Sequence, residues 1–206
     1  MILIGQYDSP FTRRVGIALT LYGMAFEHRP WSTFGDADRL QPLNPLIRVP
    51  TLVLDDGFVL IDSHMILDYL DTLVPDDVAM FPRAEPARHL VLKATTLATG
   101  LAEKAVGLFY ERLMHDKVSE TWQARCRRQI TSVLQALEAD RASRSGPFWF
   151  DRLSHADIAA ACALRFTGDA HPEVDLSLYP HLQRDAAKLE ATPAFRRIFQ
   201  RFIPPS

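Results

Sequence analysis

Two hydrophobic periods alternate through the first seventy-odd residues, and only the helical one persists beyond them. Residues 1–7 (Met-Ile-Leu-Ile-Gly-Gln-Tyr) form an apolar run short enough for a buried strand. Val15, Ala18, Leu19 and Tyr22 then recur at helical spacing, which predicts a helix over 10–23 with Gly23 at its end. Ala25–Arg29 reads as a second strand, and the polar stretch from Pro30 to Gln41 holds one short helix. Pro42-Leu43-Asn44-Pro45 marks a turn-rich loop. Thr51–Leu54, the tight turn Asp55-Asp56-Gly57 and Phe58–Ile61 predict an antiparallel hairpin. Ser63 can cap a following helix that carries Ile66, Leu67, Tyr69, Leu70 and Leu73 and stops before Pro75. The order βαβ, then ββα, predicts a small α/β layer with a mixed sheet.

Pro75, Pro82 and Pro86 interrupt every helical pattern, so the linker falls between 75 and 87. Beyond it the spacing is helical almost throughout. Long amphipathic segments run from Leu90 to Leu113 and from Trp122 to Leu137, and shorter ones lie near 179–190 and 193–202. Ser154 and Asp157 stand three apart, as in a capping box with Asp in place of Glu. The helix they open contains Ile158-Ala-Ala-Ala-Cys-Ala-Leu, apolar all round, which places it at the centre of a bundle.

Composition narrows the function classes without choosing one. The net charge is −2, divided mildly into an acidic first part and a basic remainder, and no polybasic run points to nucleic acid. No uninterrupted apolar stretch reaches membrane length and no charged-then-apolar leader is present, so the expectation is a cytoplasmic protein without a membrane partner. Cys126 and Cys162 fall among apolar neighbours and read as core thiols rather than a disulfide or catalytic pair. The histidines lack ligand spacing, so no metal site is expected.

Chemistry enters at Ser9-Pro10-Phe11, where the first strand hands over to the first helix. Ser9 suits the N-cap, and Pro10 suits the first helical position, where its missing N–H costs nothing. A helix N-terminus offers unpaired N–H groups and a partial positive charge, which favour an anion such as a thiolate. From these residues alone Ser9 is either a cap or a thiolate donor.

Four features in register resemble one family: Ser9-Pro10-Phe11-x-x-Arg14-Val15, the Val49-Pro50 step, Asp62-Ser63 at a helix start, and the Ser154–Asp157 cap. Together they are similar to the soluble glutathione S-transferases of the serine type, and to the bacterial YibF-like branch among them. The resemblance spans essentially the whole chain. It implies a thioredoxin-like glutathione-binding domain over 1–76, a linker over 77–87 and an all-α helical-bundle domain over 88–206, assembled as a homodimer.

The resemblance also implies roles. Ser9 would hydrogen-bond the glutathione sulfur as the catalytic residue. Val49-Pro50 would be a cis step whose backbone pairs with the cysteinyl amide. Arg48 would lie near the glycine carboxylate, Ser63 would receive the γ-glutamyl carboxylate, and Asp62 would hold the ammonium. Phe11 completes the glutathione contacts. Phe34, Phe109, Tyr110, Met114 and Phe202 are positional candidates for the electrophile pocket, although any bundle buries aromatics at helical spacing. Tyr7 stands out of the serine register and reads as structural. The implied activity is formation of a thiolate that attacks a small hydrophobic electrophile, as in detoxification, with peroxide reduction as a variant. Disulfide exchange through position 9 is disfavoured, because serine forms no mixed disulfide. The alternative is a non-catalytic binding or regulatory module of the same fold.

Overall fold

The computed structural model describes residues 1–204. Its chain divides into two compact units, Met1–Arg83 together with Ala191–Ser206, and Ala84–Glu190. Residues from Ala191 on, which the hydrophobic pattern alone assigns to the helical half, group with the sheet.

The first unit is built on a mixed sheet of order β2-β1-β3-β4, comprising β1 (Ile2–Ile4), β2 (Glu27–Arg29), β3 (Thr51–Val53) and β4 (Val59–Ile61). β2 runs parallel to β1, whereas β3 is antiparallel to both β1 and β4. Each strand is three residues long, shorter than the apolar runs that predict them. Helices α1 (Pro10–Leu21) and α3 (Ser63–Thr72) bury Val15, Ile17, Leu19, Ile66, Leu67 and Leu70 in the core they share with Leu3, Ile4, Leu52 and Leu60. A single turn of helix, α2 (Ala37–Leu40), lies in the polar segment as expected.

A buried polar knot joins the far ends of these helices. The Tyr22 hydroxyl donates to the Asp71 carboxylate. That carboxylate also accepts the Phe81 N–H at 2.7 Å, while the Tyr22 oxygen accepts the Met80 N–H at 3.0 Å. The orphan amides of a proline-flanked segment thereby find partners inside the unit.

The second unit holds α4 (Ala87–Met114), α5 (Glu120–Ala142), α6 (His155–Ala170) and α7 (Pro180–Glu190), with one 3-10 turn at Leu176–Leu178. α6 is its buried centre, as the all-apolar run requires: Ile158 through Leu164 are all buried. The expected capping box opens it, with the Asp157 carboxylate accepting the Ser154 N–H at 2.9 Å and also the Trp149 N–H at 2.8 Å. Cys126 and Cys162 are both buried and form no disulfide.

The last helix, α8 (Pro193–Arg197), belongs to the first unit. It ends five residues before the position to which its apolar spacing would carry it, and Ile198 through Pro204 follow without regular structure.

Candidate active site

The register of the sheet decides which loops meet. Ile4 pairs with Thr51, Thr51 pairs with Ile61, and Ile4 also pairs with Arg29. With β3 antiparallel to its neighbours, the exits of β1, β2 and β4 and the start of β3 therefore share one end of the sheet. Residues 5–9, 30–34, 48–50 and 62–63 all leave or arrive there.

Ser9 is the N-cap of α1, half-buried, and its hydroxyl oxygen accepts the Thr12 N–H at a long 3.4 Å. Its carbonyl closes the first helical turn from Arg13 at 2.9 Å, and Pro10 occupies the first helical position. Capping uses a lone pair of the hydroxyl and leaves its proton to donate elsewhere. Phe11, half-exposed, follows on the same turn.

Gly5 lets the surrounding loops close in. Its φ of +130° suits only glycine, and a Cβ there would lie 2.5 Å from Thr12 Oγ1 and 2.7 Å from Val49 Cβ. The start of α1 and the Val49 loop thus approach across a bare backbone. The Val49–Pro50 bond is cis, as expected. Asn44, buried, organises the loop before it. Its side-chain amide donates to Arg48 O at 2.9 Å and Thr51 Oγ1 at 3.0 Å, and its oxygen accepts the Leu46 N–H at 3.0 Å. The Arg48 side chain is exposed at the rim.

At α3 the cap differs from expectation. Asp62, not Ser63, is the N-cap, with its carboxylate accepting the His64 N–H at 2.8 Å. Asp62 adopts φ 68° and ψ 129°, a conformation that costs an L-residue about 1–3 kcal/mol and collects at functional sites. The reason is positional: the chain turns sharply from β4 into α3, and the residue at the corner bears the turn. Ser63 becomes the first helical residue, is buried, and faces the equally buried Arg14, whose Nη1 reaches the Ser63 hydroxyl at 3.5 Å. Arg14 thus places a guanidinium charge behind the Asp62-Ser63 corner.

Tyr7, two residues before Ser9, is set into the sheet side of the loop. It is buried, its ring stacks on His28 with centroids 3.8 Å apart, and burial pushes its hydroxyl up to about 12, against a smaller opposing pull from Arg197. It stays protonated at any physiological pH.

The aromatic candidates fall in both units. Phe34 lies in the loop after β2 at 41% exposure, and Phe202 lies in the segment after α8. Phe109, Tyr110 and Met114 are on α4 in the second unit, where Phe109 packs edge-on against Phe166 at 6.5 Å. Phe109 is half-buried, whereas Met114 is 54% exposed at the helix end. Among the described residues no group of three or more His, Cys, Asp or Glu side chains is arranged to hold a metal ion. No helix there is long and apolar enough to cross a membrane.

Asn44, Arg14 and Gln200, which accepts the Tyr7 N–H at 3.0 Å, carry much of this arrangement without having been assigned a role from sequence. An asparagine framed by prolines was a visible signal for the first. The other two act over separations that no local pattern reports.

Comparison with known proteins agrees with this geometry. The family model "Glutathione S-transferase, N-terminal domain" matches residues 3–77, and "Glutathione S-transferase, C-terminal domain" matches residues 120–201. The Escherichia coli (strain K12) protein "Uncharacterized GST-like protein YibF" is 32% identical over 168 residues, 81% of this chain and 81% of its own length. A glutathione S-transferase from Methylobacterium radiotolerans, solved in complex with glutathione sulfonate, superposes with a TM-score of 0.90 at 29% identity, covering 100% of this chain and 98% of its own. A glutathione transferase family member from Pseudomonas fluorescens Pf-5, solved with bound glutathione, gives 0.81 at 29% identity over 96% and 97%. A four-stranded mixed sheet with a serine at the first helix start, an acid–serine corner at the third helix and a helical second unit, matched from end to end, make this chain a member of the glutathione S-transferase family.

Proposed function

We propose that the protein binds glutathione in its first unit, holds the thiol as thiolate beside Ser9, and directs it at a small hydrophobic electrophile. The observation that carries this reading is the convergence at one end of the sheet of the Ser9 cap, the Val49-Pro50 step and the Asp62-Ser63 corner. Support comes from the Methylobacterium and Pseudomonas relatives, solved with glutathione sulfonate and glutathione.

Each group has a task matched to its chemistry. A free thiol with a pKa near 8.5 is only about 3% ionised at neutral pH. Lowering that value by about two units requires about 2.7 kcal/mol of preference for the anion. One hydroxyl hydrogen bond to a charged acceptor contributes about 1.5–3 kcal/mol, and the α1 terminus about 0.3–1 kcal/mol more. Ser9 and its helix therefore suffice. The thiol proton leaves to solvent, the sulfur lone pair forms a bond to the electrophilic carbon, and the electron pair displaced there departs with the leaving group or onto the activated double bond.

The Val49 backbone pairs with the cysteinyl segment as an added strand would. The Ser63 N–H, at a helix start, takes the γ-glutamyl carboxylate with the Arg14 charge behind it. The Asp62 carboxylate retains acceptor capacity beyond its cap and takes the ammonium. Arg48, at the rim, meets the glycine carboxylate. In this reading the protein is a cytoplasmic homodimer serving detoxification, and sedimentation analysis tests its dimeric state.

Calorimetric titration tests binding directly. Saturable heat with glutathione, strongly weakened by Ser63→Ala, supports the reading. No heat at millimolar concentration (about the free level against which such a site works) overturns it.

A further inference from the structure

The segment after α8 is tied to the connection between β1 and α1 at several separate points. Arg13, buried on the first turn of α1, donates from Nε to Ile198 O at 2.9 Å and from Nη2 to Phe195 O at 3.3 Å, and its guanidinium lies 5.5 Å from the Phe195 ring centre. Gln200 Oε1 accepts the Tyr7 N–H at 3.0 Å across 193 residues of sequence. The Ile203 backbone N–H draws the carboxyl of Asp8, the residue directly before Ser9, downward in pKa. One turn further along α1, Gly16 makes room for Ile198, since a Cβ there would lie 2.9 Å from Ile198 Cγ2.

Residues 5–9 are held from the sheet side and by α1. His28 Nε2 donates to Gly5 O at 2.8 Å, the Tyr7 ring stacks on His28, and Ser9 O and Oγ accept the first N–H groups of α1. The Gly5 N–H reaches Arg29 O at 2.9 Å and the Ser9 N–H reaches Gln6 O at 3.2 Å. Burial pushes the Asp8 carboxyl upward, and the N–H groups of Ile203 and Ser9 pull it back. Tyr7, two residues ahead of Ser9, is thus held from outside by this segment, and the same segment acts electrostatically on Asp8. A donor aimed at an ionised sulfur loses effect when its support lets it wander by a fraction of an ångström.

We infer that residues 198–203 form a positioning strap for the Ser9 hydroxyl, with Gln200 as its main positioning residue and the Ile203 N–H as its second anchor. The inference rests on the reading of Ser9 given above and adds to it a requirement located at the other end of the chain. Neither Gln200 nor Ile203 touches glutathione in this scheme; both act through Tyr7 and Asp8.

The test compares the parent protein with Gln200→Ala, Gln200→Glu and Ile203→Pro, reading glutathione affinity by calorimetry and the pKa of the bound thiol by its ultraviolet thiolate absorbance. Gln200→Ala removes the acceptor and Ile203→Pro removes the N–H, whereas Gln200→Glu keeps an oxygen for the Tyr7 N–H. Loss of one such bond corresponds to about three- to tenfold, so Gln200→Ala and Ile203→Pro raise the bound thiol pKa by about half a unit to one unit and weaken binding by up to about tenfold. Gln200→Glu returns the thiol pKa close to that of the parent. A parent-like thiol pKa in both Gln200→Ala and Ile203→Pro overturns the strap while leaving the role of Ser9 intact. Weakened binding without a pKa change also overturns it, as does a Gln200→Glu variant no better than Gln200→Ala. If the parent itself binds no glutathione, the functional reading falls, and the strap falls with it.

Discussion

A serine hydroxyl has one proton and two lone pairs, and at Ser9 they separate into two uses: the oxygen caps α1 weakly at 3.4 Å, and the proton remains for a ligand. Asp62 caps toward His64 with one oxygen and keeps acceptor capacity for the ammonium proposed above. This makes Asp62→Asn informative, since asparagine caps as well as aspartate and tolerates positive φ, yet carries no charge. The expected outcome is a melting temperature close to that of the parent, with glutathione affinity about ten- to a hundredfold weaker from loss of the charged hydrogen bond, checked by scanning calorimetry and binding titration. Unchanged affinity would remove the ammonium role from Asp62. Ser9 was legible from sequence as a cap because a helix start followed by proline demands one. The cis step at Pro50, by contrast, came from the family resemblance, and the cap at Asp62 was expected one residue later. Arg14 and Gln200 were given no role, because the groups they reach become neighbours only after the sheet has formed. Asn44, whose partners lie within seven residues, was marked only by its flanking prolines.

Among the elements, α1 carries most of the organisation: its start presents Ser9, its buried arginines reach the C-terminal segment and the α3 corner, and its middle is thinned at Gly16. A Cβ at Gly16 would lie 2.9 Å from Ile198 Cγ2 and 3.0 Å from Tyr7 Cε1, both in packed surroundings. Gly16→Ala is therefore destabilising despite the better helix propensity of alanine, by about 1–3 kcal/mol in a urea titration. A neutral or stabilising result would show that the segment after α8 yields freely. The extent of α8 shows where periodicity misleads. Ile198, Phe199 and Phe202 continue a helical spacing, yet the helix stops at Arg197. Arg13 takes the Phe195 and Ile198 carbonyls that further turns would have used. By contrast α6 was readable to its first residue, since its cap and its all-apolar face are both local properties.

On the scale of the whole molecule, two compact units share the burden of stability, and acid acts on them through identifiable groups. His171 is fully buried, with its Nε2 donating to Ala105 O at 2.8 Å, and burial holds its pKa below the ordinary value against the smaller pull of that carbonyl and of Glu173. A depressed pKa in the folded state means that the unfolded chain binds the proton more readily. The contribution is intact above the unfolded value and is lost as pH falls through it toward the folded one. Urea midpoints should therefore drop between about pH 7 and pH 5. His171→Gln, which keeps an N–H for Ala105, should flatten that slope, and an unaltered slope would acquit His171. Asp157 acts in the opposite sense at lower pH, because burial raises its carboxyl and the folded state then favours the proton. The proposal that the first unit keeps a bound thiol ionised is met most directly by titrating that thiol. The ultraviolet thiolate absorbance of the glutathione complex should rise with a pKa about two units below that of free glutathione in the parent, and return at least about one unit toward it in Ser9→Ala. Identical titration curves for the two proteins would contradict it.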